Sequence, residues 1–219
     1  MSLLLRRVAT VLSLLSADGR MCFRVRKKTC LASQNLLHLC RVMNSLNREH
    51  ILGDIVECGV WKGGSAALLA TKLQGNTLHI YDSFIGMPDS TAKDGTLAQS
   101  MIGQGGVDEE EVCSFVRGHV PNGAHLQVHS GWFHETFIPE QAPDSVRLLH
   151  VDCDWYESVL QTLDFFYDKV TPGGYIILDD YAYWQGARQA YYDFCAKRGI
   201  APILHRIENG HAYWFKGEE

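Results

Sequence analysis

The amino-acid sequence predicts an α/β protein built on a doubly wound, mostly parallel sheet that ends in an antiparallel hairpin. Two observations carry this prediction. From residue 33 onward, apolar runs of strand length alternate with segments of helical periodicity. Near the end of the chain, an Asn-Gly pair at 209–210 separates two strand-like runs, which is a strong hairpin signal.

Composition limits the kind of protein and the kind of partner. The 219 residues, of which 46% are apolar, fit one domain of ordinary size. The net charge is −5 and there is no long basic run, so we expect no nucleic-acid partner, because phosphate binding needs clustered Lys and Arg. Seven scattered cysteines without a C-x-x-C pair indicate reduced thiols in a cytoplasmic protein.

Residues 1–50 predict an N-terminal helical extension that acts as a lid or as a dimer contact. Two arginines precede its first apolar run, a pattern similar to that of a signal sequence, but the run is too short to span a bilayer, so we expect no membrane association. The favoured interpretation is an amphipathic helix that packs on the domain or on a partner subunit, which favours a homodimer. A second helix is predicted over 33–48, with an apolar stripe from Leu36 to Leu46. The apolar face of the first helix consists of Leu4, Val8, Val11, Leu12 and Leu15.

Residues 51–219 predict the main domain. Its first half contains a strand at 53–60, a helix that opens at Gly63, Gly64 and Ser65, and a strand at 77–84. Residues 85–123 are polar and rich in glycine. They predict an insertion or a mobile lid with a helix around 108–118, because long loops in compact domains are usually functional.

The second half of this domain continues the same alternation. Ligands of such sheets bind beyond the carboxyl ends of the strands, so residues that follow each strand are the functional candidates. The predicted elements are strands at 125–129 and 146–152, a helix at 157–170, a T-P-G-G turn at 171–174, a strand that ends in Asp179 and Asp180, a helix at 186–198, and strands at 202–207 and 211–216.

The stretch E-C-G-V-W-K-G-G-S at 57–65 predicts half of a nucleoside-cofactor site. Its glycines let the backbone approach a ligand closely, although it is neither G-x-G-x-x-G nor a P-loop. Asp82 ends the next strand, where an acid accepts hydrogen bonds from a ribose diol; the alternative is that it caps the following turn. Glu57 lies inside an apolar strand and therefore needs a hydrogen-bond donor, which a cofactor ammonium or backbone N–H groups would supply.

Four aspartates follow two strands that this topology places side by side. Three of them, Asp152, Asp179 and Asp180, favour a hard cation, Mg²⁺ first and then Mn²⁺ or Ca²⁺. Asp154 lies two residues beyond Asp152; on an extended segment its side chain would point the same way and suit a general base. The alternative is that these acids cap helices or pair with Arg147, Lys169 or Arg188.

Five segments between about Gly53 and Arg198 resemble, in order, the macrocin O-methyltransferase family. They are G-D-I-V-E-C-G-V-W-K-G-G-S, Y-D-S-F-I-G-M-P-D, G-W-F-H-E-T-F-I-P, L-L-H-V-D-C-D-W-Y-E-S and P-G-G-Y-I-I-L-D-D-Y-A-Y-W-Q-G-A-R-Q-A. The resemblance implies a Rossmann-like class I fold and an S-adenosylmethionine (SAM)-dependent, Mg²⁺-dependent O-methyltransferase. The implied acceptor is a sugar or glycosylated natural product with adjacent hydroxyls. Lys62 and Ser83 depart mildly from the family's Arg and Thr, and the segment 85–123 matches nothing, so the acceptor stays open.

The resemblance also implies a role for each candidate residue. The methionine end of SAM would be lined by Glu57, Gly59, Gly63 and Ser65, its ribose held by Asp82, and its adenine approached by Gly131 and Trp132. Mg²⁺ would be bound by Asp152, Asp179 and Asp180, and Asp154 would be the base. His134 is a candidate auxiliary base or substrate contact, and the candidate walls for a sugar are Trp61, Tyr181 and Trp184.

Three other functions fit parts of the pattern. A metal-dependent glycosyltransferase also uses Asp-x-Asp, but the turn at 61–65 offers few phosphate donors beyond Lys62. A phosphatase of the haloacid dehalogenase type places that motif after its first strand, whereas here it follows roughly the fourth. A non-catalytic SAM-binding subunit would not need all four aspartates.

Overall fold

The computed structural model describes residues 16–207 and 210–218. The predicted apolar face from Leu4 to Leu15 and most of the predicted Glu-Asn-Gly turn therefore lie outside the described residues.

Within these ranges, seven strands form one sheet in the order β3-β2-β1-β4-β5-β7-β6. Strands β1 to β5 pair in parallel, and β7 pairs antiparallel with both β5 and β6, which confirms the predicted mostly parallel sheet with an antiparallel end. The strands are β1 (Asp54–Cys58), β2 (Thr77–Asp82), β3 (His125–Ser130), β4 (Val146–Val151), β5 (Val170–Leu178), β6 (His205–Arg206) and β7 (Ala212–Phe215).

Helices cover both faces of the sheet. Neighbouring strand residues such as Ile55 and Val56 point to opposite faces, and they belong to two separate apolar clusters. None of the helices in the described ranges is long and apolar enough to cross a lipid bilayer. The helices are α1 (Ala17–Val25), α2 (Ser33–Arg48), α3 (Gly64–Ala70), α4 (Thr96–Gln99), α5 (Glu109–Arg117), α6 (Phe133–Thr136), α7 (Tyr156–Phe166) and α8 (Gln185–Arg198), with 3₁₀ turns at Pro139–Gln141 and Tyr167–Lys169.

Several predicted boundaries are wrong. The helix predicted over 157–170 ends at Phe166 and continues as a 3₁₀ turn, and helix α1 was not predicted as a separate element. The predicted T-P-G-G turn lies inside β5, because the pairing of β4 with β5 shifts register after Val146 and absorbs the extra residues there. Gly173 keeps a partner in this irregular stretch by donating its N–H to the Lys216 carbonyl.

The segment between α1 and α2 lies on the start of α3. The backbone N–H of Gly64 donates to the Lys28 carbonyl at 2.8 Å, and a β-carbon at Gly64 would lie 2.6 Å from that oxygen. Helix α2 itself is part of the core through residues such as Leu36 and Leu39. The division of the chain at residue 50 and the role of the extension stay predictions.

The predicted insertion contains two different parts. Helix α5 connects β2 to β3 and packs against α3, the ordinary position of a crossover helix in a doubly wound fold. Residues 85–106 form a loop before it that contains the short helix α4. The loop is closed at its base, because Met87 exchanges backbone hydrogen bonds with Gly103 and Gln104 at 2.9 and 2.8 Å.

Candidate active site

A cleft of about 820 Å³ opens at the carboxyl ends of β1, β2, β4 and β5. The order of the sheet reverses between β1 and β4, and such switch points are where open α/β sheets bind ligands. Most of the predicted site residues line this cleft, whereas Glu57 and Gly63 do not. Those that line it are Gly59, Ser65, Asp82, Gly131, Trp132, Asp152, Asp154, Asp179 and Asp180.

Gly59 lets the ends of β1 and β4 come together. Its φ is +88°, and a β-carbon there would collide with the carbonyl oxygen of Asp152. Its N–H donates to the Tyr81 carbonyl at 2.9 Å. Gly63, with a φ of +79°, precedes α3, and the space that a side chain would fill there is taken by Val112 and Val116 of α5.

Asp82 holds the glycine turn in place. One carboxylate oxygen accepts the backbone N–H groups of Val60 at 2.6 Å and Trp61 at 2.9 Å, and the other accepts that of Phe84 at 2.7 Å. Asp82 therefore does cap the turn that follows its strand, as the alternative interpretation of this residue predicted. Since a carboxylate offers about four lone-pair sites, about one site remains for a ligand in the cleft.

Glu57 finds its partner inside the sheet rather than in the cleft. Glu57 on β1 and His150 on β4 are register partners, and Glu57 Oε1 lies 3.0 Å from His150 Nδ1. Both side chains are completely buried. The other carboxylate oxygen of Glu57 has no hydrogen-bond partner in the described part of the chain.

Asp152, Asp179 and Asp180 meet at one wall of the cleft, and each offers a carboxylate oxygen within 4.8 Å of the others. Burial raises the pKa of Asp152 and of Asp180 well above the ordinary value, and repulsion between the carboxylates raises both further. Burial also raises the pKa of Asp179. Three oxygen donors that are costly to ionise together suit a hard divalent cation.

The three cations considered as partners for these acids bind elsewhere. Arg147 donates to the Ile51 carbonyl and to Asn76, Lys169 lies against the ring of Phe165, and Arg188 donates to a backbone carbonyl. The ion-pair alternative is thus wrong for these residues, and the acid cluster keeps its need for a positive charge.

The expectation that Asp154 follows Asp152 on an extended segment is wrong. Its φ is +59°, because the chain turns sharply here and Trp155 donates its N–H to the Cys153 carbonyl. The side chain is held by the indole N–H of Trp184 at 2.7 Å, and the backbone N–H donates to Asp180 Oδ2 at 3.2 Å. Burial raises the pKa of Asp154 to about 6, against the lowering effect of the Trp184 bond.

Asp94 is a buried residue of the cleft wall that no sequence pattern indicates as functional. Its Oδ1 accepts the N–H of Tyr156, the first residue of α7, at 2.6 Å, and its Oδ2 accepts from the backbone and hydroxyl of Thr91 at 2.7 and 2.8 Å. Asp94 therefore fastens the 85–106 loop to α7. No local pattern identifies a capping residue that lies 62 positions from the helix.

Aromatic and small side chains complete the cleft. Trp61, Trp132 and His134 line it, as do Thr29 and Cys30 from the segment between α1 and α2. Of the other candidate walls, Trp184 contributes its hydrogen bond to Asp154, and Tyr181 pairs its hydroxyl with that of Tyr192 at 2.9 Å.

A family model described as "Macrocin-O-methyltransferase (TylF)" matches residues 25–216 of the chain. The chain belongs to the macrocin O-methyltransferase family. It is therefore an O-methyltransferase that uses SAM, and the glycosyltransferase, phosphatase and non-catalytic alternatives are wrong.

Similar proteins agree with this assignment. The chain is 31% identical to demethyldecarbamoylnovobiocin O-methyltransferase of Streptomyces niveus over 85% of this chain and 74% of the relative. It is 28% identical to 8-demethyl-8-(2,3-dimethoxy-alpha-L-rhamnosyl)-tetracenomycin-C 4'-O-methyltransferase of Streptomyces olivaceus, with the same coverage. The solved structure of the O-methyltransferase NovP superposes with a TM-score of 0.78 at 30% identity, over 86% of this chain and 82% of that one.

Proposed function

We propose that this methyltransferase transfers the SAM methyl group to a hydroxyl of a sugar, on a small-molecule glycoside of natural-product biosynthesis, with Mg²⁺ as metal. The observation that carries the proposal is the convergence of three carboxylates beside the glycine turn in one cleft. A metal site next to a cofactor turn allows the acceptor hydroxyl and the methyl donor to meet.

We assign the cofactor to the wall formed by β1, β2 and β3. Gly59 and Ser65 would contact the methionine end, and the remaining lone-pair site of Asp82 would accept from a ribose hydroxyl. Gly131 and Trp132, which follow β3, would lie along the adenine. Glu57 and Gly63 would act from outside the cleft, Glu57 by orienting His150 and Gly63 by shaping the start of α3.

Asp152, Asp179 and Asp180 would hold Mg²⁺, and their donor set fits it, since Mg²⁺ prefers carboxylate oxygens and keeps water positions that acceptor oxygens can take. A bound divalent cation lowers the pKa of a coordinated hydroxyl. Asp154 would take the proton of that hydroxyl through its carboxylate, with Trp184 keeping the side chain in place. Positioning by the cleft walls then supplies most of the remaining rate.

The sugar acceptor is proposed from the names of relatives and from the cleft. One relative is named for methylating the 4' position of a rhamnosyl group whose positions 2 and 3 carry methoxy groups. A hydroxyl beside a second oxygen, free or methylated, gives two donors for one cation. Trp61 and His134 line the cleft and would provide an aromatic wall and a polar contact for a sugar ring. The seven cysteines, all free, favour a cytoplasmic enzyme, and a homodimer remains our proposal for the assembly.

The test is a methyl-transfer assay with three versions of one glycoside: adjacent free hydroxyls, the neighbouring oxygen methylated, and the neighbouring oxygen removed. We expect activity on the first two, loss on the deoxy compound, and loss of all activity after chelation with recovery on adding Mg²⁺. Full activity after chelation would overturn the metal assignment, and equal rates on the deoxy compound would overturn the two-oxygen acceptor.

A further inference from the structure

A second cluster of ligand-type side chains shares Asp179 with the acid cluster, and its two histidines do not line the cleft. His150, Asp179 and His211 are all buried, and each offers one nitrogen or oxygen within 4.8 Å of the other two. His150 is the last residue but one of β4, Asp179 follows β5, and His211 precedes β7. The pairing of these three strands therefore builds the cluster.

Three of the four ring nitrogens of this cluster lack hydrogen-bond partners among the described residues. The atoms concerned are Nε2 of His150 and both ring nitrogens of His211, and both side chains are completely buried. Burying such polar atoms without a partner is costly, so each orphaned atom calls for an explanation. A bound ion between them would satisfy two of the three nitrogens at once.

The spacing of the donors fits a metal better than a hydrogen bond. His211 Nε2 and Asp179 Oδ1 are 3.4 Å apart, which is long for a hydrogen bond between these atoms. Two ligands at about 2.0–2.1 Å from one tetrahedral ion lie about 3.4 Å from each other.

Glu57 gives His150 the orientation that metal-binding histidines usually have. Glu57 Oε1 lies 3.0 Å from Nδ1, so Nδ1 carries the proton and Nε2, which has no partner among the described residues, keeps its lone pair for a metal. A carboxylate that accepts from the outer nitrogen is the typical partner of a metal-bound imidazole. This arrangement also explains why an acid is kept inside the apolar strand β1.

We propose that His150, His211 and Asp179 form a second, buried site for a divalent transition metal such as Zn²⁺ or Co²⁺. Two imidazoles and one carboxylate select such ions over Mg²⁺, which takes oxygen donors. Asp179 is shared with the acid cluster, so the inner ion also holds this carboxylate, and Asn35 donates to its Oδ1 at 3.3 Å. The inner site does not depend on the proposed methyl-transfer chemistry.

The test uses Co²⁺, whose visible absorption reports imidazole ligands, on the full chain stripped of metal and held in excess Mg²⁺. We expect one equivalent of Co²⁺ with a ligand-field spectrum. His211→Gln and His150→Gln should each weaken Co²⁺ binding by at least about 10-fold, since even loss of an outer-shell partner has that effect. Asp180→Asn should leave the Co²⁺ spectrum intact, and His129→Gln is the control for loss of another buried histidine.

Absence of a Co²⁺ spectrum in the wild-type chain, or a spectrum unchanged in His211→Gln, would overturn the proposal. Thermal melting shows whether each variant folds. X-ray absorption at the zinc edge of the Zn²⁺-loaded wild-type chain needs no variant; fewer than two imidazole ligands would also refute the site. Failure of the proposed function gives a different result: Co²⁺ would still bind, but the rate of methyl transfer would not depend on Mg²⁺.

Discussion

Asp154 has the environment of a general base at the scale of a single residue. Its backbone is in the left-handed region, which is uncommon for a non-glycine residue. Two hydrogen bonds hold it there: the Trp184 indole N–H donates to its carboxylate, and its own backbone N–H donates to Asp180. Strain of this kind persists only where the surrounding structure fixes it, and it is concentrated at functional sites. The carboxylate is thereby presented to the cleft beside the acid cluster.

Asp154→Asn should lower kcat by about 10²–10⁴-fold, the usual contribution of a general base, while the Kd for SAM stays unchanged. The amide keeps an oxygen for the Trp184 N–H, so the fold should survive. Initial rates at saturating acceptor and calorimetry with SAM measure the two quantities. Asp144→Asn, at an exposed acid, is the control. Equal kcat for Asp154→Asn and wild type would exclude Asp154 as the base.

His129 makes the free energy of unfolding depend on pH, and a single substitution removes its contribution. Burial lowers its pKa from 6.5 to about 4, and the groups that face it are His79, whose Nδ1 lies 3.2 Å away, and the stacked ring of Tyr81. Because the folded-state pKa is the lower one, the unfolded chain binds more protons between these values. Stability from this residue is complete above pH 6.5 and falls as the pH drops toward 4.

His129→Gln should therefore flatten the acid side of the stability curve, by up to about 1.4 kcal/mol per pH unit for the one proton removed. Urea unfolding of wild type and variant across this range measures the difference. His125→Gln, at an exposed position of the same strand, should leave the slope unchanged. Parallel curves for His129→Gln and wild type would contradict the prediction.

At the scale of secondary-structure elements, Asp94 connects the 85–106 loop to the start of α7. Helix α7 has no capping side chain from its own N-cap residue, Trp155, so Asp94 supplies this function from a distant segment. The same loop contributes Ile85, Met87 and Met101 to the cleft. A change at Asp94 is thus expected to affect the helix and the acceptor side together.

Asp94→Ala should destabilise the protein by about 1–3 kcal/mol, the cost of leaving buried donors unsatisfied, and should raise KM for the acceptor. The matched control is Asp108→Ala, which removes the N-cap of α5, where Asp108 accepts the Glu111 N–H at 2.7 Å. Both variants lose a cap, but only Asp94→Ala should change the acceptor KM. An unchanged KM in Asp94→Ala would separate the loop from acceptor binding.

The start of α3 requires glycine at position 64, because the Lys28 backbone leaves no room for a side chain there. Gly64→Ala would place a methyl group 2.6 Å from the Lys28 carbonyl oxygen and so displace the segment that carries Thr29 and Cys30. We expect a loss of about 1–3 kcal/mol in unfolding free energy and weaker SAM binding. In Gly118→Ala the nearest contact is an ordinary 3.4 Å, so that control should change little. Equal stability of the two variants would contradict this account.

At the scale of the whole molecule, the sequence predicts the sheet and the acid cluster because both follow from strand order. Asp152, Asp179 and Asp180 end neighbouring strands, and topology alone brings them together. The pairing of Glu57 with His150 could not be predicted, since it depends on the register between β1 and β4, which apolar parallel strands do not specify. Asp94 and the turn at Asp154 depend on packing between distant segments in the same way.

The acid cluster should make the stability of the whole fold depend on divalent cations. A ligand that binds only the folded state at about 100 times its Kd adds about 2.7 kcal/mol to the unfolding free energy. We expect Mg²⁺ to raise the melting temperature of wild type and to have little effect on Asp152→Asn. Calorimetric melting with and without chelator measures this. The same shift in both proteins would place Mg²⁺ binding elsewhere.

The contacts around the acid cluster and the histidine cluster that shares Asp179 with it join parts of the chain that are far apart in sequence. Glu57 and His150 are 93 residues apart, and Asn35 and Asp179 are 144 residues apart. Contacts of such separation form late in folding, because chain closure must come first. A cation that needs the complete sheet contributes after the folding transition state, so it should slow unfolding while leaving the folding rate nearly unchanged.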